Sequence, residues 1–450
     1  MTRKFERLKK IVIYAIVMLI VLMLGSVFGK ITDINYAQIA GLENLNPADT
    51  GFVIISTILV MLMTPALALF YGGMVRKKNI LGTLMQSFVA LGVVSVIWIT
   101  YGYSLAFGGD VLGLIGNFDF VMLKSVALEP GPYADTIPHQ LFMCFQMMFA
   151  CLTPALITGA FAERFKFKSY ILFLILWVTF VYCPLAHWVW GDGGWIDKLG
   201  GLDFAGGLVV HIASGASALA CCLVLGPRRG YKKESMPPHN LTLTFIGTMF
   251  LWAGWFGFNA GSALGVNSLT TTALLTTQLG AAAGLLAWVF TEFLHRGKGT
   301  VLGALSGAVA GLVGITPACG FVNPVCAVVI GFIAGMACYL FVVFVKKKLN
   351  YDDTLDVVGI HGIGGIIGAI LTGVFASVLI NPDGANGLIF GETALFKAQI
   401  ISTIAAVLFA FVTTVVILKV IDKIFGLRVS EVEEMQGLDI SQHGENCYRM

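Results

Sequence analysis

The sequence predicts an all-α, polytopic membrane protein with eleven transmembrane helices. Of its 450 residues, 57% are hydrophobic and 12% are charged, and the mean hydropathy is +0.87. Soluble proteins carry about 25% charged residues, so the charge content alone separates this chain from them. Apolar runs of roughly 20 residues, the length needed to cross a bilayer, recur along nearly the whole chain. These runs are continuously apolar rather than alternating, which excludes a transmembrane β-barrel.

Eleven apolar segments, each bounded by polar or charged residues, are the predicted spans. They are 51–71, 79–107, 137–162, 169–190, 204–226, 241–262, 268–292, 300–317, 324–345, 356–380 and 394–420. The residues from 426 to 450 are polar, mixed in charge and too short to fold alone. We therefore expect any order in this tail to come from docking on neighbouring loops.

Basic residues are concentrated in alternate connections, which sets the predicted orientation. The connections at 75–79, 163–168, 227–233, 295–299 and 346–348 contain fifteen Lys and Arg residues. By the positive-inside rule these connections are cytoplasmic, and the C-terminus lies on the same side. The sequence thus predicts a multi-pass protein of the cell membrane with a cytoplasmic tail.

The N-terminus has two interpretations that the sequence leaves open. "MTRKFERLKK" followed by the apolar segment 11–28 has the layout of a signal peptide over residues 1–30. The same segment approaches spanning length and is also compatible with an extra, retained transmembrane helix. Either version leaves the next span starting on the outer side.

Only two ionisable side chains lie well inside the predicted spans. His211 stands in "GLVVHIASG" (207–215) and His361 in "VVGIHGIGG" (357–365). An ionisable residue within the membrane indicates a functional site, whereas the structural alternative is a histidine that hydrogen-bonds two helices together. Asp203 and Asp356 precede the two histidines, and each is also a plausible helix N-cap.

Glycine and alanine surround both histidines, which predicts a close crossing of the two helices. Small residues let transmembrane backbones approach each other, so the two imidazoles can come into contact. Counted from residue 51, His211 falls in the fifth span and His361 in the tenth. Because five is an odd number, the second set of five spans is inverted relative to the first. Two inverted five-helix repeats around a central pore are a recurring transporter architecture.

Aromatic residues form a second candidate site near the outer ends of the spans. Phe145 and Phe149 are four residues apart and share a helix face. Trp190 stands at an outer edge, and Phe258 and Ser262 lie near the outer end of the sixth span. Their arrangement is compatible with an aromatic belt at the interface. It also favours a vestibule that holds a small cation by cation–π attraction and a hydroxyl acceptor.

Several long motifs in the chain resemble those of the Amt/Mep/Rh ammonium transporters, in particular the bacterial members. The motifs are "ALFYGGMVRKKN", "YGYSLAFG", "LDFAGGLVVHI", "GWFGFNAGSA", "GLVGITPACGFV", "DDTLDVVGIHGIGG" and "GLDISQHGENCY". The resemblance covers a membrane domain at 48–425 and the tail at 426–450. Residues 1–47 are the least similar part.

The resemblance implies roles for matching positions. It implies that Phe145, Trp190 and Ser262 form an outer site that recruits ammonium. It implies that Phe149 and Phe258 form a phenylalanine gate below the outer site. It implies that His211 and His361 form a histidine pair lining the pore, and that Asp203 supports the recruitment region from within the fold.

The resemblance also implies an assembly and a regulator. Members of the family are homotrimers with one pore per subunit, and a PII-type signalling protein often blocks the bacterial members from the cytoplasm. The expected substrate is ammonium or ammonia, with the lipid bilayer as surroundings. Nothing in the sequence indicates a cofactor, a metal site, a nucleic-acid partner or an enzymatic activity, and the nine cysteines lack a zinc-like spacing.

Three other functions are compatible with parts of the sequence. "TYGYS" (100–104) resembles a potassium-channel filter but lacks the final glycine and a preceding re-entrant loop. "GASA" (215–218) near His211 resembles the nucleophile site of an intramembrane serine protease, but Ser217 lies on roughly the opposite helix face from His211. An ammonium sensor would carry the same binding motifs, and the absence of a recognisable signalling domain in the tail favours transport.

Overall fold

The computed structural model describes residues 44–448, so the predicted signal peptide or extra helix at 1–30 lies outside the described residues. Eleven apolar helices follow one another within this range. They are α1 (Pro47–Met74), α2 (Lys77–Phe107), α3 (His139–Phe161), α4 (Phe167–Lys198), α5 (Gly207–Leu225), α6 (Leu241–Gly261), α7 (Ser268–Arg296), α8 (Val301–Ile315), α9 (Pro324–Leu349), α10 (Val358–Phe375) and α11 (Ala394–Phe425).

Ten of these helices are long and apolar enough to cross a membrane. The exception is α8, whose 15 residues rise about 22 Å at 1.5 Å per residue. That length falls short of a hydrocarbon core of about 30 Å. The prediction of a mostly helical membrane protein is thus confirmed, while the count of eleven crossings stays a prediction.

Short elements complete the described chain. Between α2 and α3 lie two small antiparallel hairpins, and two short helices follow α11. The hairpins pair β1 (Asp110–Val111) with β2 (Ile115–Gly116), and β3 (Pro130–Gly131) with β4 (Ala134–Pro138). The tail helices are α12 (Glu431–Gln436) and α13 (Leu438–His443).

Polar side chains begin several of the apolar helices. The side chain of Asn46 accepts hydrogen bonds from the first amides of α1, Asn240 does the same for α6, and Asn267 forms a capping box on α7. These amides have no partner within their own helix, so the caps replace bonds that water would otherwise supply. The apolar segments therefore begin at defined residues.

Five of the helices within residues 44–448 contain a π-helical segment, in which the chain is wound more widely than in an α-helix. In α5 this segment is Gly207–Ile212 and in α10 it is Val358–Ile363, so each holds one of the two intramembrane histidines. The π-helical segments are rare and frequent at functional sites. The other three are Trp98–Gly102, Val178–Tyr182 and Phe341–Val345.

The protein interior is centred on α3 and α5. In the most apolar 18-residue stretch of each helix, 83% of the residues are buried in α5 and 78% in α3. The corresponding share is only 33% in α9 and in α11. Glycines allow the close packing around this centre: a Cβ on Gly257 of α6 would lie 2.6 Å from Leu59 of α1. Helices in a membrane associate through such small-residue contacts.

The tail packs on the ends of α2 and α4, as expected for a segment that cannot fold alone. Lys78 donates to the carbonyl oxygen of Met435 at 2.7 Å, and the side chain of Asn79 accepts from the amide of Leu438 at 2.8 Å. Asp439 accepts from the amide of Gly82 at 2.9 Å.

Candidate functional site

The histidine pair lies in the interior and is in direct contact. The Nδ1 atoms of His211 and His361 are 3.2 Å apart, and the ring centroids are 5.3 Å apart. Both side chains are buried, with exposed fractions of 1% and 4%. At this separation one Nδ1 donates a hydrogen bond and the other accepts it, so the two neutral rings share one proton between them.

A single carboxylate organises the start of α5 and therefore places His211. Asp203 accepts hydrogen bonds from the amides of Gly206, Gly207 and Leu208 at 2.6–2.8 Å. These amides have no partner within the helix, and the positive end of the helix dipole further favours the negative charge. The backbone carbonyl of Asp203 accepts a hydrogen bond from the indole N–H of Trp190 at 2.9 Å. This bond links α5, which holds His211, to the outer site.

At the start of α10 the corresponding carboxylate is Asp353, not Asp356. Asp353 is buried and its Oδ2 accepts from the amide of Val358 at 2.8 Å, whereas Asp356 forms an ion pair with Lys346 at 2.5 Å. Burial raises the pKa of Asp353 to about 6. Asp353 precedes His361 by the same eight residues that separate Asp203 from His211. Asp353 was not among the predicted site residues, although the equal spacing was a usable signal.

Glycines bring α5 and α10 into backbone contact beside the histidines. A Cβ on Gly215 would overlap the Cα of Gly362, and a Cβ on Gly365 would lie 3.1 Å from the Cβ of His211. The close crossing that the small residues predict is thus present. It fixes the distance between the two imidazoles, because each histidine is within four residues of the contact.

Aromatic rings lead from the outer site to the histidine pair. Phe149 and Phe258 are stacked, with centroids 4.3 Å apart and an interplanar angle of 27°. Phe149 lies edge-on to Phe145 at 4.9 Å and to Trp190 at 6.2 Å, so both aromatic residues of the outer site contact the phenylalanine gate. On the other side, Phe258 is 6.1 Å from the ring of His211.

The third member of the outer site, Ser262, is half-buried at the end of α6. Ser262 donates its hydroxyl proton to the carbonyl oxygen of Phe258 at 2.9 Å, which leaves its oxygen lone pairs free to accept. A Cβ on Gly261 would lie 3.0 Å from the ring of Phe145. The end of α6 is therefore packed against this ring.

Trp255 is a further residue of the site that was not among the predicted site residues. Its ring stacks on His211 at 5.4 Å, and its indole N–H donates to the hydroxyl of Thr316 at 2.9 Å. Trp255 precedes Phe258 by three residues and so shares its helix face. Among the described residues His211 Nε2 has no hydrogen-bond partner, and Trp255 and Phe258 give it aromatic surroundings.

The structure gives no support to the serine-protease and potassium-channel alternatives. Ser217 points away from the histidines and bonds to Thr414 of α11 at 2.8 Å and to the indole of Trp177 at 2.9 Å. The segment 100–104 is helical within α2 and supplies no extended run of free carbonyl groups.

Comparison with known proteins gives one consistent family. The sequence model of the Ammonium Transporter Family matches residues 51–448. An ammonium transporter of Bacillus subtilis (strain 168) is 50% identical over 401 residues, which cover 89% of this chain and 98% of the relative. The crystal structure of Saccharomyces cerevisiae Mep2 superposes with a TM-score of 0.81 at 38% identity, covering 87% of this chain and 89% of that chain.

A sensor protein of the same fold is also similar. The solved structure named Sensor Amt Protein matches with a TM-score of 0.81 at 30% identity, covering 88% of this chain and 98% of that chain.

Proposed function

Because the chain belongs to the Ammonium Transporter Family, we propose that it carries ammonium nitrogen across the cell membrane into the cytoplasm. The outer site recruits the ammonium ion, which gives up a proton near the phenylalanine gate to the histidine pair, and the two imidazoles relay that proton. Neutral ammonia then passes along the histidine pair. The protein acts as a transporter and not as an enzyme.

The outer site suits a small cation. The faces of Phe145 and Trp190 attract positive charge through their quadrupoles, and the oxygen of Ser262 accepts a hydrogen bond from it. Asp203 holds the Trp190 indole in place through its carbonyl oxygen. Its carboxylate is already occupied by the amides of α5 and supplies negative potential from a distance.

The observation that carries the mechanism is the direct contact of two buried histidines. If one Nδ1 donates to the other, the donor ring keeps an Nε2 lone pair and the acceptor ring keeps an Nε2–H. Ammonia can donate to the first and accept from the second. A bare cation costs several kcal/mol in an apolar span, and neutral imidazoles offset that cost less than a carboxylate would. Ammonium avoids the cost by shedding its proton, which potassium and sodium cannot do.

The test is a charge substitution within the pair. His211→Asp places a negative charge in the path, and we expect it to gain potassium conductance and to lose the distinction between ammonium and potassium. The matched control is His211→Asn, because asparagine has nearly the same shape as aspartate but carries no charge. This variant should still reject potassium. The assay is current in proteoliposomes under separate ammonium and potassium gradients, on variants shown to be folded.

The same assay tests whether the histidine pair relays protons. His361→Ala removes one partner of the shared hydrogen bond and should lower ammonium-driven charge movement. If His211→Asp rejects potassium and His361→Ala moves charge like the parent, the pair only joins helices and selectivity resides in the outer site.

The proposal includes an assembly and an orientation. The protein is a homotrimer with one pore per subunit, its two five-helix halves (α1–α5 and α6–α10) are inverted repeats, and the tail is cytoplasmic. The repeats are supported by the equal eight-residue spacing between Asp203 and His211 and between Asp353 and His361. A PII-type protein is the proposed cytoplasmic regulator. Native mass spectrometry that gives only monomers in mild detergent would contradict the trimer.

An ammonium sensor is the second candidate, because a protein named as a sensor shares the fold. The same proteoliposomes separate the two functions. A sensor would bind ammonium, detectable as tryptophan fluorescence quenching, without an ammonium-driven current.

A further inference from the structure

A fully buried glutamine of α11 makes three hydrogen bonds to the backbone of two other segments. Gln399 has an exposed fraction of 0%. Its Oε1 accepts from the amide of Leu202 at 2.8 Å, and its Nε2 donates to the carbonyl oxygens of Leu202 and Ala369, each at 2.9 Å. The resemblance and the proposed transport path assign no role to Gln399.

The surrounding groups allow only one orientation of this side-chain amide. Oε1 faces an N–H group, which only donates, and Nε2 faces two carbonyl oxygens, which only accept. A flipped amide would set its N–H groups against the N–H of Leu202 and its oxygen against both carbonyl oxygens, and would lose all three bonds. Gln399 thus pairs with both backbone groups of Leu202 as a neighbouring strand would.

The loop that Gln399 holds leads directly into Asp203. Leu202 is the residue before it, and the carbonyl oxygen of Asp203 accepts from the indole N–H of Trp190 at 2.9 Å. The carboxylate of Asp203 caps the start of α5. A displacement of the backbone at Leu202 therefore moves the acceptor that orients the ring of Trp190.

The third bond ties this loop to the helix of the second histidine. Ala369 follows His361 on α10 by eight residues, about two turns. Gly373, one turn further, lets the glutamine approach α10 closely, since a Cβ at Gly373 would lie 3.0 Å from Cγ of Gln399. Gln399 therefore joins the loop of the outer site to α10.

We infer that Gln399 is a positioning residue of the outer site, which sets the backbone at Leu202 and Asp203 against α10 and so keeps Trp190 oriented for ammonium recruitment. It acts through this loop and not by contact with the substrate. Backbone hydrogen bonds from the loop to α4 and to the segment after α8 remain when Gln399 is replaced. Loss of the side chain should therefore change the affinity for ammonium rather than the fold.

The inference rests on the proposed function, and ammonium-driven current in proteoliposomes tests it. Gln399→Met keeps the length of the side chain and removes all three bonds. Its half-saturating ammonium concentration should rise about two- to fivefold, which corresponds to the exposed cation–π contact of Trp190. A residue that only stabilises the fold would instead lower the maximal current, because fewer molecules fold, and would leave the half-saturating concentration unchanged.

The matched control is Ser402→Ala, three residues further along α11. Ser402 is also fully buried, and among the described residues its hydroxyl has no hydrogen-bond partner. It packs against the same loop, because a Cβ on Gly201 would lie 2.9 Å from its Oγ. Ser402→Ala should have the affinity of the parent, and a shift as large as that of Gln399→Met would refute the role of the three hydrogen bonds.

A double variant tests whether Gln399 acts through Trp190. Trp190→Leu removes the ring that Gln399 is inferred to position, so adding Gln399→Met should leave the affinity of Trp190→Leu unchanged. If the two changes in affinity multiply, Gln399 acts by another route and the inference is refuted.

The outcomes separate this inference from the proposed function. A parent that shows no current refutes the transport function and this inference with it. A parent with normal current, together with a Gln399→Met variant of parental half-saturating concentration, refutes the inference alone. If Gln399→Met does not fold, Gln399→Asn takes its place, because its amide is one carbon too short to reach Leu202 and Ala369 together. The same rise is expected for it, and parental affinity in this variant would overturn the inference.

Discussion

Adding one methyl group at Gly215 should separate the histidine pair. A Cβ at this position would overlap the Cα of Gly362, and that atom belongs to a helix backbone and cannot rotate away. The two helices must therefore move apart by on the order of 1 Å to restore an ordinary carbon–carbon contact of about 3.5–4.0 Å. Since the two Nδ1 atoms are already 3.2 Å apart, the movement takes them beyond hydrogen-bond distance.

The expected magnitudes follow from the same geometry. Overpacking a filled interior costs about 1–3 kcal/mol, so the free energy of unfolding of Gly215→Ala should fall by about that amount. A misplacement of about 1 Å between reacting groups can lower a rate about 100-fold. We expect ammonium-driven current to fall about 10- to 100-fold while the protein remains folded.

The opposite glycine of the same crossing is the matched control. A Cβ on Gly362 would lie 3.4 Å from the Cα of Gly215, an ordinary van der Waals contact. Gly362→Ala should therefore transport nearly as well as the parent and unfold at a similar or higher temperature, because alanine favours the helix by about 0.5–1 kcal/mol. Thermal unfolding in detergent and ammonium-driven current in proteoliposomes are the measurements. Equal loss in both variants, or a greater loss in Gly362→Ala, would refute the crossing geometry.

Three further predictions concern other parts of the protein. Trp190→Leu should weaken the apparent affinity for ammonium about two- to fivefold without unfolding the protein, because it removes one exposed cation–π contact. Unchanged affinity in a titration of the current with ammonium would make Trp190 an interfacial residue without a role in binding. Deletion of Gly437–Met450 removes the contacts of Leu438 and Asp439 with α2. It should lower transport without abolishing trimers. Full ammonium-driven current in the truncated protein would show that docking of the tail on α2 does not influence transport. Because the pKa of Asp353 is raised to about 6, its contribution to stability is present below about pH 4 and is lost as the pH rises through 6. Asp353→Asn, which removes this titration, should unfold at a higher temperature than the parent at pH 7.5. The difference between the two unfolding temperatures should disappear below about pH 4. A difference that stays constant with pH would contradict the raised pKa.

Helix positions could be predicted from the sequence because composition and caps determine them locally. The predicted spans 241–262 and 268–292 correspond to Leu241–Gly261 and Ser268–Arg296, and each begins directly after an asparagine cap. The contact of His211 with His361 was likewise predictable, since two glycine-rich histidine segments at equivalent places in the chain suggest one crossing. These inferences need only periodicity and neighbouring residues.

Contacts that depend on a returning loop could not be predicted in this way. His187 meets Asp110 across 77 residues of sequence, and hydropathy gives no indication of where the hairpin folds back. The choice between Asp353 and Asp356 depended on backbone direction, because Asp356 adopts a positive φ of 61° that turns it toward Lys346. The π-helical segments were also missed, since they depend on interhelical packing rather than on the residues' own propensities.

The positions of both histidines near helix starts explain how an ionisable pair is kept neutral. The N-terminal end of a helix carries partial positive charge, which disfavours an imidazolium, and burial disfavours any charge. A carboxylate close to both rings would counter these effects and create a fixed cation site. Asp203 and Asp353 instead lie eight residues before their histidines, and each accepts hydrogen bonds from the backbone at the start of its helix. Under the proposed function, the pair is thereby left uncharged and able to exchange one shared proton, which would favour a neutral guest over a cation.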